Sequence, residues 1–292
     1  MNLSIVILSY NTPDLIKNCI DSIKKQYNPE IDKNEIEIIV VDNASKSENV
    51  EILSKYFDKN KKITFIKNSE NLGFGRGCNL GEKAAKGKYV LFLNSDTEVN
   101  DKGFLEMTKY LGENPKIAIL GGRLNNPDGS MQSSVGHFYN LVNFIIMLVG
   151  GERAGLLRKS PDEISKVDWV SGACMMVNRE LFEKIGGFDR NIFMYMEDME
   201  ICYRAKKMGY GVFFYPNVAV THKELGSSNR TFAVVNIYSG IRYFYKKHKT
   251  LPEYYIVSGL LFIKAMGVYF LGKLTNNSYY IRTYGEALKN FR

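Results

Sequence analysis

The stretch that most constrains this chain is Lys88-Tyr89-Val90-Leu91-Phe92-Leu93-Asn94-Ser95-Asp96, an apolar run that stops at a polar triplet ending in a carboxylate. The run is too short for most helices and rich in β-formers, which predicts a buried strand. In an open α/β sheet, ligands sit beyond the carboxyl ends of the strands. Asp96 is therefore expected to project from a rigid strand end into a cleft, where a carboxylate suits a divalent cation held against a phosphate. Asn and Asp also start turns, so the triplet taken alone fits both readings.

The same pattern recurs upstream. Leu3 to Leu8 is a short apolar run ended by Ser9-Tyr10-Asn11-Thr12-Pro13, and Pro13 suits the first turn of a helix that carries Leu15, Ile16, Cys19, Ile20 and Ile23 at helical spacing. Ile36 to Val41 is a second buried strand ending at Asp42, and Ile63 to Ile66 a third. Strands alternating with helices predict an α/β fold, with a largely parallel sheet flanked by helices. In such a sheet Tyr10, Asn11, Asp42 and Asp96 share one edge, a convergence that is harder to explain by turn chemistry alone.

Gly73, Gly75 and Gly77 alternate within Asn71 to Asn79 and do not match G-x-G-x-x-G, which disfavours a dinucleotide-binding dehydrogenase. Small residues there can let a helix N-terminus approach a diphosphate or let a helix pack closely on a sheet. The chain has 292 residues and a formal charge of +8, with lysines concentrated at Lys24-Lys25, Lys59 to Lys62 and Lys246 to Lys249. That balance suits phosphate-bearing ligands or an anionic membrane surface. No recognised nucleic-acid motif is present, so nucleic acid is not an expected partner. Cys19, Cys78, Cys174 and Cys202 form no C-x-x-C pair, which disfavours zinc and predicts core thiols of a reducing compartment. The N-terminus lacks a signal-peptide pattern, so the cytoplasm is the expected location.

Beyond Asn100 the pattern is less regular. Ile117 to Leu120 reads as a strand, and Met131 to Asp168 resists assignment, as binding loops often do. Asp168 to Val177 returns to strand character and carries the only tryptophan, Trp169, beside Ser171 and Gly172. Trp169 can wall a sugar ring or sit in the core. From Met194 to Gly209, Glu197, Glu200, Arg204 and Lys207 form a polar stripe, and Ile201, Ala205 and Met208 an apolar one. Asp198 falls on the apolar stripe, which favours a general base at a cleft over a partner of the helix dipole. Gly211 to Tyr215 and Val218 to Thr221 read as two short strands, the second ending at His222, which is either structural or a ligand meeting Asp96. Phe232 to His248 is helical. Tyr254 to Gly272 borders on transmembrane length, but Lys264 at its centre favours an interfacial or oligomer-forming helix.

Taken together, these motifs resemble inverting family 2 glycosyltransferases of the GT-A type, and within them bacterial rhamnosyltransferase-type members. The matching segments are Ile5 to Asn11, Val40 to Ser45, Asn71 to Gly75, Phe92 to Asp96, Gly186 to Asp189, Phe193 to Arg204, and His222. The resemblance implies a GT-A domain over residues 1–250, with a nucleotide-sugar half (1–100) and an acceptor half (101–250). Residues 251–292, beyond the matching motifs, are expected to form a helical extension that contacts a membrane surface or a second copy. It implies that Ser9, Tyr10, Asn11, Asp42, Asn71, Arg76, Asn94, Ser95 and Asp96 bind the donor. Trp169, Gly172 and Glu197 would face the sugar or acceptor, and Asp198 would be the catalytic base. Asp96 and His222 would hold Mn²⁺ or Mg²⁺, with Asn94 standing where relatives carry the first aspartate of D-x-D. The implied donor is dTDP-L-rhamnose or a UDP-hexose or UDP-N-acetylhexosamine. The implied acceptor is a lipid-linked saccharide of a growing surface polysaccharide, at the inner face of the cell membrane. A non-catalytic nucleotide-sugar binder and a processive membrane synthase are the competing classes.

Overall fold

A computed structural model describes residues 1–152, 154–224 and 229–291. The amino-terminal elements are β1 (Leu3–Ser9), α1 (Pro13–Asp32), β2 (Ile36–Asp42), α2 (Ser47–Asp58), β3 (Ile63–Lys67), α3 (Phe74–Ala84), β4 (Tyr89–Asn94) and β5 (Thr97–Val99). Next come α4 (Gly103–Glu113), β6 (Ile117–Asn125), β7 (Met131–Gln132), β8 (Val135–Gly136), α5 (Leu141–Leu148), β9 (Ser165–Lys166), β10 (Trp169–Val170) and β11 (Cys174–Asn178). The chain closes with α6 (Arg179–Ile185), α7 (Glu197–Lys207), β12 (Gly211–His222), α8 (Arg230–His248), α9 (Leu251–Leu274) and α10 (Ser278–Lys289).

Two compact units result. The first comprises residues 1–138, 158–190 and 198–227, and the second residues 139–157, 191–197 and 228–292. The first unit is built on a sheet of order β3-β2-β1-β4-β11-β6-β12-β5. β3, β2, β1 and β4 are mutually parallel, whereas β11 runs antiparallel to both β4 and β6. The parallel half explains the continuous apolar runs, since strands covered on both faces need no polar alternation. Leu3, Ile5, Val6 and Ile7 are all within 1% of complete burial, and each such side chain contributes roughly 1.5–3 kcal/mol.

The glycines of α3 serve this packing. A Cβ on Gly77 would lie 2.4 Å from Leu8 Cδ1, and one on Gly81 would lie 2.3 Å from Val6 Cγ1. For these two positions, close seating of the helix on β1 is the reason for small residues. The two short strands read at Gly211–Tyr215 and Val218–Thr221 are one strand, β12, with its register to β6 broken between Tyr215 and Ala219 by a bulge.

The polar stripe of α7 is a second correction. Glu200 is fully buried rather than solvated, and Met208 on the supposed apolar stripe is exposed. Arg204 accounts for this: it bonds both Glu200 oxygens and also donates to the carbonyls of Ile185 and Gly187, at the left-handed turn that ends α6. A buried carboxylate paired this fully is tolerable.

In the second unit, α9 packs on α8, α10 and α5. Arg242 of α8 donates to Ser258 and Tyr254 of α9 and to the Asn290 carbonyl, while Lys264 Nζ donates to Leu148 O of α5 at 2.6 Å. The apolar stretch around α5 thus belongs with the carboxyl-terminal helices. Gly240 of α8 approaches the turn at Tyr195 and Met196, both at positive φ, so closely that a Cβ would meet Met196 Cγ at 2.9 Å.

Candidate active site

The strand registers align the predicted residues. Ser9 lies opposite Asp42 on one side of β1, and Leu8 lies opposite Asn94 on the other. Asp42 is 1% exposed; its Oδ2 accepts from Ser45 N at 3.0 Å. Asp42 Oδ1 and Ser9 Oγ are buried and, among the described residues, have no hydrogen-bond partner. Leaving such atoms unsatisfied costs about 1–3 kcal/mol each, so this pair at the carboxyl ends of the strands is suited to accept from or donate to a bound molecule. Tyr10 is half-buried beside them.

Asn11 and Asn71 are largely engaged with the protein itself. Asn11, at φ 58°, accepts at Oδ1 from Lys46 N and Asn49 Nδ2, and its own N–H donates to Ser45 Oγ. Asn71 Oδ1 accepts from Asn43 Nδ2 at 2.8 Å and from Gly73 N at 2.9 Å. Both shape the loops that frame Asp42. Asn43 joins those loops by bonding Asn68, Asn71, Leu72 and Gly73, a role that residue patterning did not single out. Arg76 lies further along α3, where it lines a surface hollow with Lys83 and Arg190 and approaches Glu70 at 3.8 Å.

The β4–β5 turn presents Asn94, Ser95 and Asp96. Ser95 Oγ accepts from Thr12 at 3.5 Å. Because β5 pairs with the end of β12, Thr97 faces His222, and Asp96 Oδ1 comes within 3.4 Å of His222 Nε2. Asn94 Nδ2 lies 3.3 Å from the same nitrogen. On the other side of the ring, Nδ1 faces Gln132 Oε1 at 2.9 Å. The Gln132 NH₂ group donates to His222 O and Asn126 Oδ1, which fixes its oxygen toward the ring. With Gln132 Oε1 as an acceptor at Nδ1, the Nε2 atom of His222 faces both Asn94 Nδ2 and Asp96 Oδ1. A carboxylate and an imidazole nitrogen side by side are groups able to ligate a divalent cation. Among the described residues no group of three His, Cys, Asp or Glu side chains gathers to hold a metal, so a cation here would take most of its ligands from elsewhere, as Mg²⁺ with phosphates does. Gln132 had no signal in the sequence, since it lies 90 residues from His222.

Asp198 joins the edge through β11. Asn94 N donates to Ala173 O at 3.1 Å, and the adjacent Gly172 N lies 3.4 Å from Asp198 Oδ2. Asp198 Oδ1 accepts from Met199 N. A Cβ at Gly172 would meet the Phe74 ring at 3.2 Å, so that ring would have to give by a few tenths of an ångström to admit a side chain here. Loss of hydration pushes the Asp198 carboxyl above the usual carboxylate range, against the pull of Met199 N–H, Arg158 and Gly172 N–H. Arg158, which residue patterning also missed, lies with its guanidinium 4.8 Å from the centre of the Trp169 ring, and its Nε is buried without a partner among the described residues. Trp169 is 4% exposed and donates to His137 O. It is therefore a platform for Arg158 rather than an open wall for a sugar. Glu197 is buried and belongs to the second unit.

Residues 4–186 match the family model described as glycosyl transferase family 2. The chain is 26% identical over 249 residues to the low-salt glycan biosynthesis hexosyltransferase Agl10 of Haloferax volcanii, covering 82% of this chain and 73% of that one. It is 28% identical over 194 residues to the N-acetylglucosaminyl-diphospho-decaprenol L-rhamnosyltransferase of Mycobacterium tuberculosis, covering 58% and 61% respectively. The match thus spans less than two thirds of the mycobacterial relative. Among solved structures, GalNAc-T7 with UDP, GalNAc and Mn²⁺ aligns at a TM-score of 0.63 and 18% identity, over 84% of this chain and 50% of that one. A family match over more than half of the sequence, on a sheet of this architecture, shows that the chain is a GT-A-fold member of glycosyl transferase family 2.

Proposed function

We propose that this protein moves a sugar from a nucleotide-sugar donor to an acceptor hydroxyl in one inverting displacement, with Asp198 as the base. The observation that carries this reading is the continuity of one sheet edge, from Asp42 across β1 to Asn94 and Asp96 and through β11 to Gly172 and Asp198. Asp42 and Ser9 bind the nucleoside with the buried atoms that have no protein partner, and Tyr10 flanks it. Asn11 and Asn71 hold the loops around it. Asp96 and His222 hold the cation, Mn²⁺ or Mg²⁺, and Asn94 and Ser95 line the diphosphate side. When bound, that cation offsets the charge that develops on the leaving nucleotide.

Asp198 accepts the proton of the acceptor hydroxyl as its oxygen attacks the anomeric carbon. The C–O bond to the diphosphate breaks on the opposite face, so the anomeric configuration inverts. A raised pKa improves the base, provided the carboxyl stays ionised at the working pH. Arg158 and the backbone N–H groups of Met199 and Gly172 pull against that rise. Gly172 lies directly beside the carboxylate.

For the donor, dTDP-L-rhamnose is the first reading, and the likeness to a mycobacterial L-rhamnosyltransferase supports its sugar. A UDP-hexose or UDP-N-acetylhexosamine is the second, and the likeness to a hexosyltransferase supports its hexose form. A lipid-linked saccharide of a growing surface polysaccharide is the acceptor class, handled on the cytoplasmic side, where buried cysteine thiols persist. The test is nucleotide release from a panel of nucleotide-sugars with a matched lipid-linked acceptor, with Mn²⁺ and with EDTA. Release from one donor, abolished by EDTA, is the expected result. Release that survives EDTA would overturn the cation assignment, and donor binding without release would favour a binder.

A further inference from the structure

Residues 228–292 hold ten Lys and Arg against two Asp and Glu, a formal +8, whereas residues 1–227 hold 29 of each sign. The entire positive balance of the chain therefore lies in its carboxyl-terminal segment. The same segment contains α9, which is 24 residues long and so about 36 Å. One stripe of α9, through Val257, Leu261 and Ala265, is buried against helices of its own unit. The other stripe exposes Tyr255, Ile256, Phe262, Ile263, Phe270 and Leu271. Lys246, Lys247 and Lys249 precede this apolar stripe, and Lys273 stands at its far end. α5, tied to α9 by the bond from Lys264 to Leu148 O, adds exposed Val142, Ile145 and Val149.

An exposed apolar stripe of this length marks an interaction surface. We propose that this face of the second unit binds the surface of an anionic lipid bilayer, with α9 lying in the plane of the headgroups. Charge complementarity selects this occupant. Pairing the face with a second copy would bring two +8 segments together, whereas an anionic leaflet neutralises them. A bilayer span is long enough by composition, but it would have to strip α9 from α8, α5 and α10. It would break the bonds of Arg242 to Tyr254 and Ser258 and that of Lys264 to Leu148. Lying at the interface keeps all of these and buries only the apolar stripe.

The full chain is sedimented with vesicles of phosphatidylcholine alone and of phosphatidylcholine mixed with phosphatidylglycerol, without donor or acceptor, so the outcome does not depend on the transfer reaction. Binding should be at least ~10-fold tighter to the mixed vesicles and released by salt. Ile263→Glu with Phe270→Glu should weaken it by ~10-fold or more while leaving the thermal melt unchanged, because both side chains are exposed. Lys246→Gln with Lys247→Gln should weaken binding to the mixed vesicles only. Equal affinity for the two vesicle types, or no binding to either, would overturn the proposal. So would a solution dimer that the Ile263 and Phe270 substitutions dissociate, which would give the face to a second copy. Binding that resists both salt and alkaline carbonate would instead indicate a span and would overturn it as well.

Discussion

In the proposed cation site, Gln132 Oε1 faces Nδ1 of His222 and so orients Nε2 toward Asp96. The amide of Gln132 is itself fixed by donating to His222 O and Asn126 Oδ1. Replacing Gln132 with Met removes that anchor while preserving bulk. The half-saturating Mn²⁺ concentration should then rise ~10-fold or more, as for other outer-shell losses; an unchanged metal titration would remove Gln132 from the site. As the proposed base, Asp198 would act only when ionised, and Arg158 pulls its raised pKa back down. Arg158→Met should therefore move the acidic limb of the pH profile of kcat to higher pH, and a limb that stays in place would separate Arg158 from the base. The sequence made Asp96, Asp198 and His222 visible because each interrupts an apolar pattern or ends a strand. Gln132 and Arg158 interrupt nothing, and their importance depends on partners distant in sequence. Trp169 stayed open between two readings for a related reason: a tryptophan beside small residues reads the same whether its face is open or covered by an arginine.

At the scale of elements, α3 shows how local packing sets pH behaviour. Its glycines bring it onto β1, and this close seating buries Glu82 at 6% exposure, 3.6 Å from Arg179. Desolvation, with Glu183 nearby, pushes the Glu82 carboxyl from an ordinary 4.5 up to about 7. In the folded chain the group thus binds its proton more tightly than in the unfolded chain. Stability should rise as pH falls from 8 toward 5, by on the order of 3 kcal/mol from this group. Glu82→Gln should stabilise the chain at pH 8 and flatten that slope, as read by urea unfolding at both pH values; a variant less stable at pH 8 would contradict the account. The parallel strands β1, β2 and β4 were readable because near-complete burial produces largely apolar runs. The segment from Met131 to Asp168 was not, because β7, β8 and β9 are two residues each, and β8 and β9 take their order from pairing with the remote strands β10 and β12. The stripe on α7 was misread because Glu200 is balanced by Arg204, a pairing that looks like an ordinary surface i, i+4 contact until its surroundings are known.

The molecule as a whole separates its chemistry from its charge. The sheet unit carries the strand-edge site, and the carboxyl-terminal segment carries the net positive charge. All four cysteines are buried thiols, with Cys19 and Cys174 pushed up to about 12 by burial. The native protein should therefore show no fast-reacting thiol toward a disulfide reagent and four after unfolding; one rapid equivalent would mean that a buried site opens readily. The central claim is that the sheet edge binds the donor while Asp198 performs the proton transfer. Its most direct test is Asp198→Asn, with donor affinity and kcat measured on the same preparation. The account predicts donor binding within a few-fold of the unmodified protein and a kcat lower by ~10²–10⁴. Near-normal turnover with intact donor binding would contradict it, and the base would have to be sought elsewhere along the same edge.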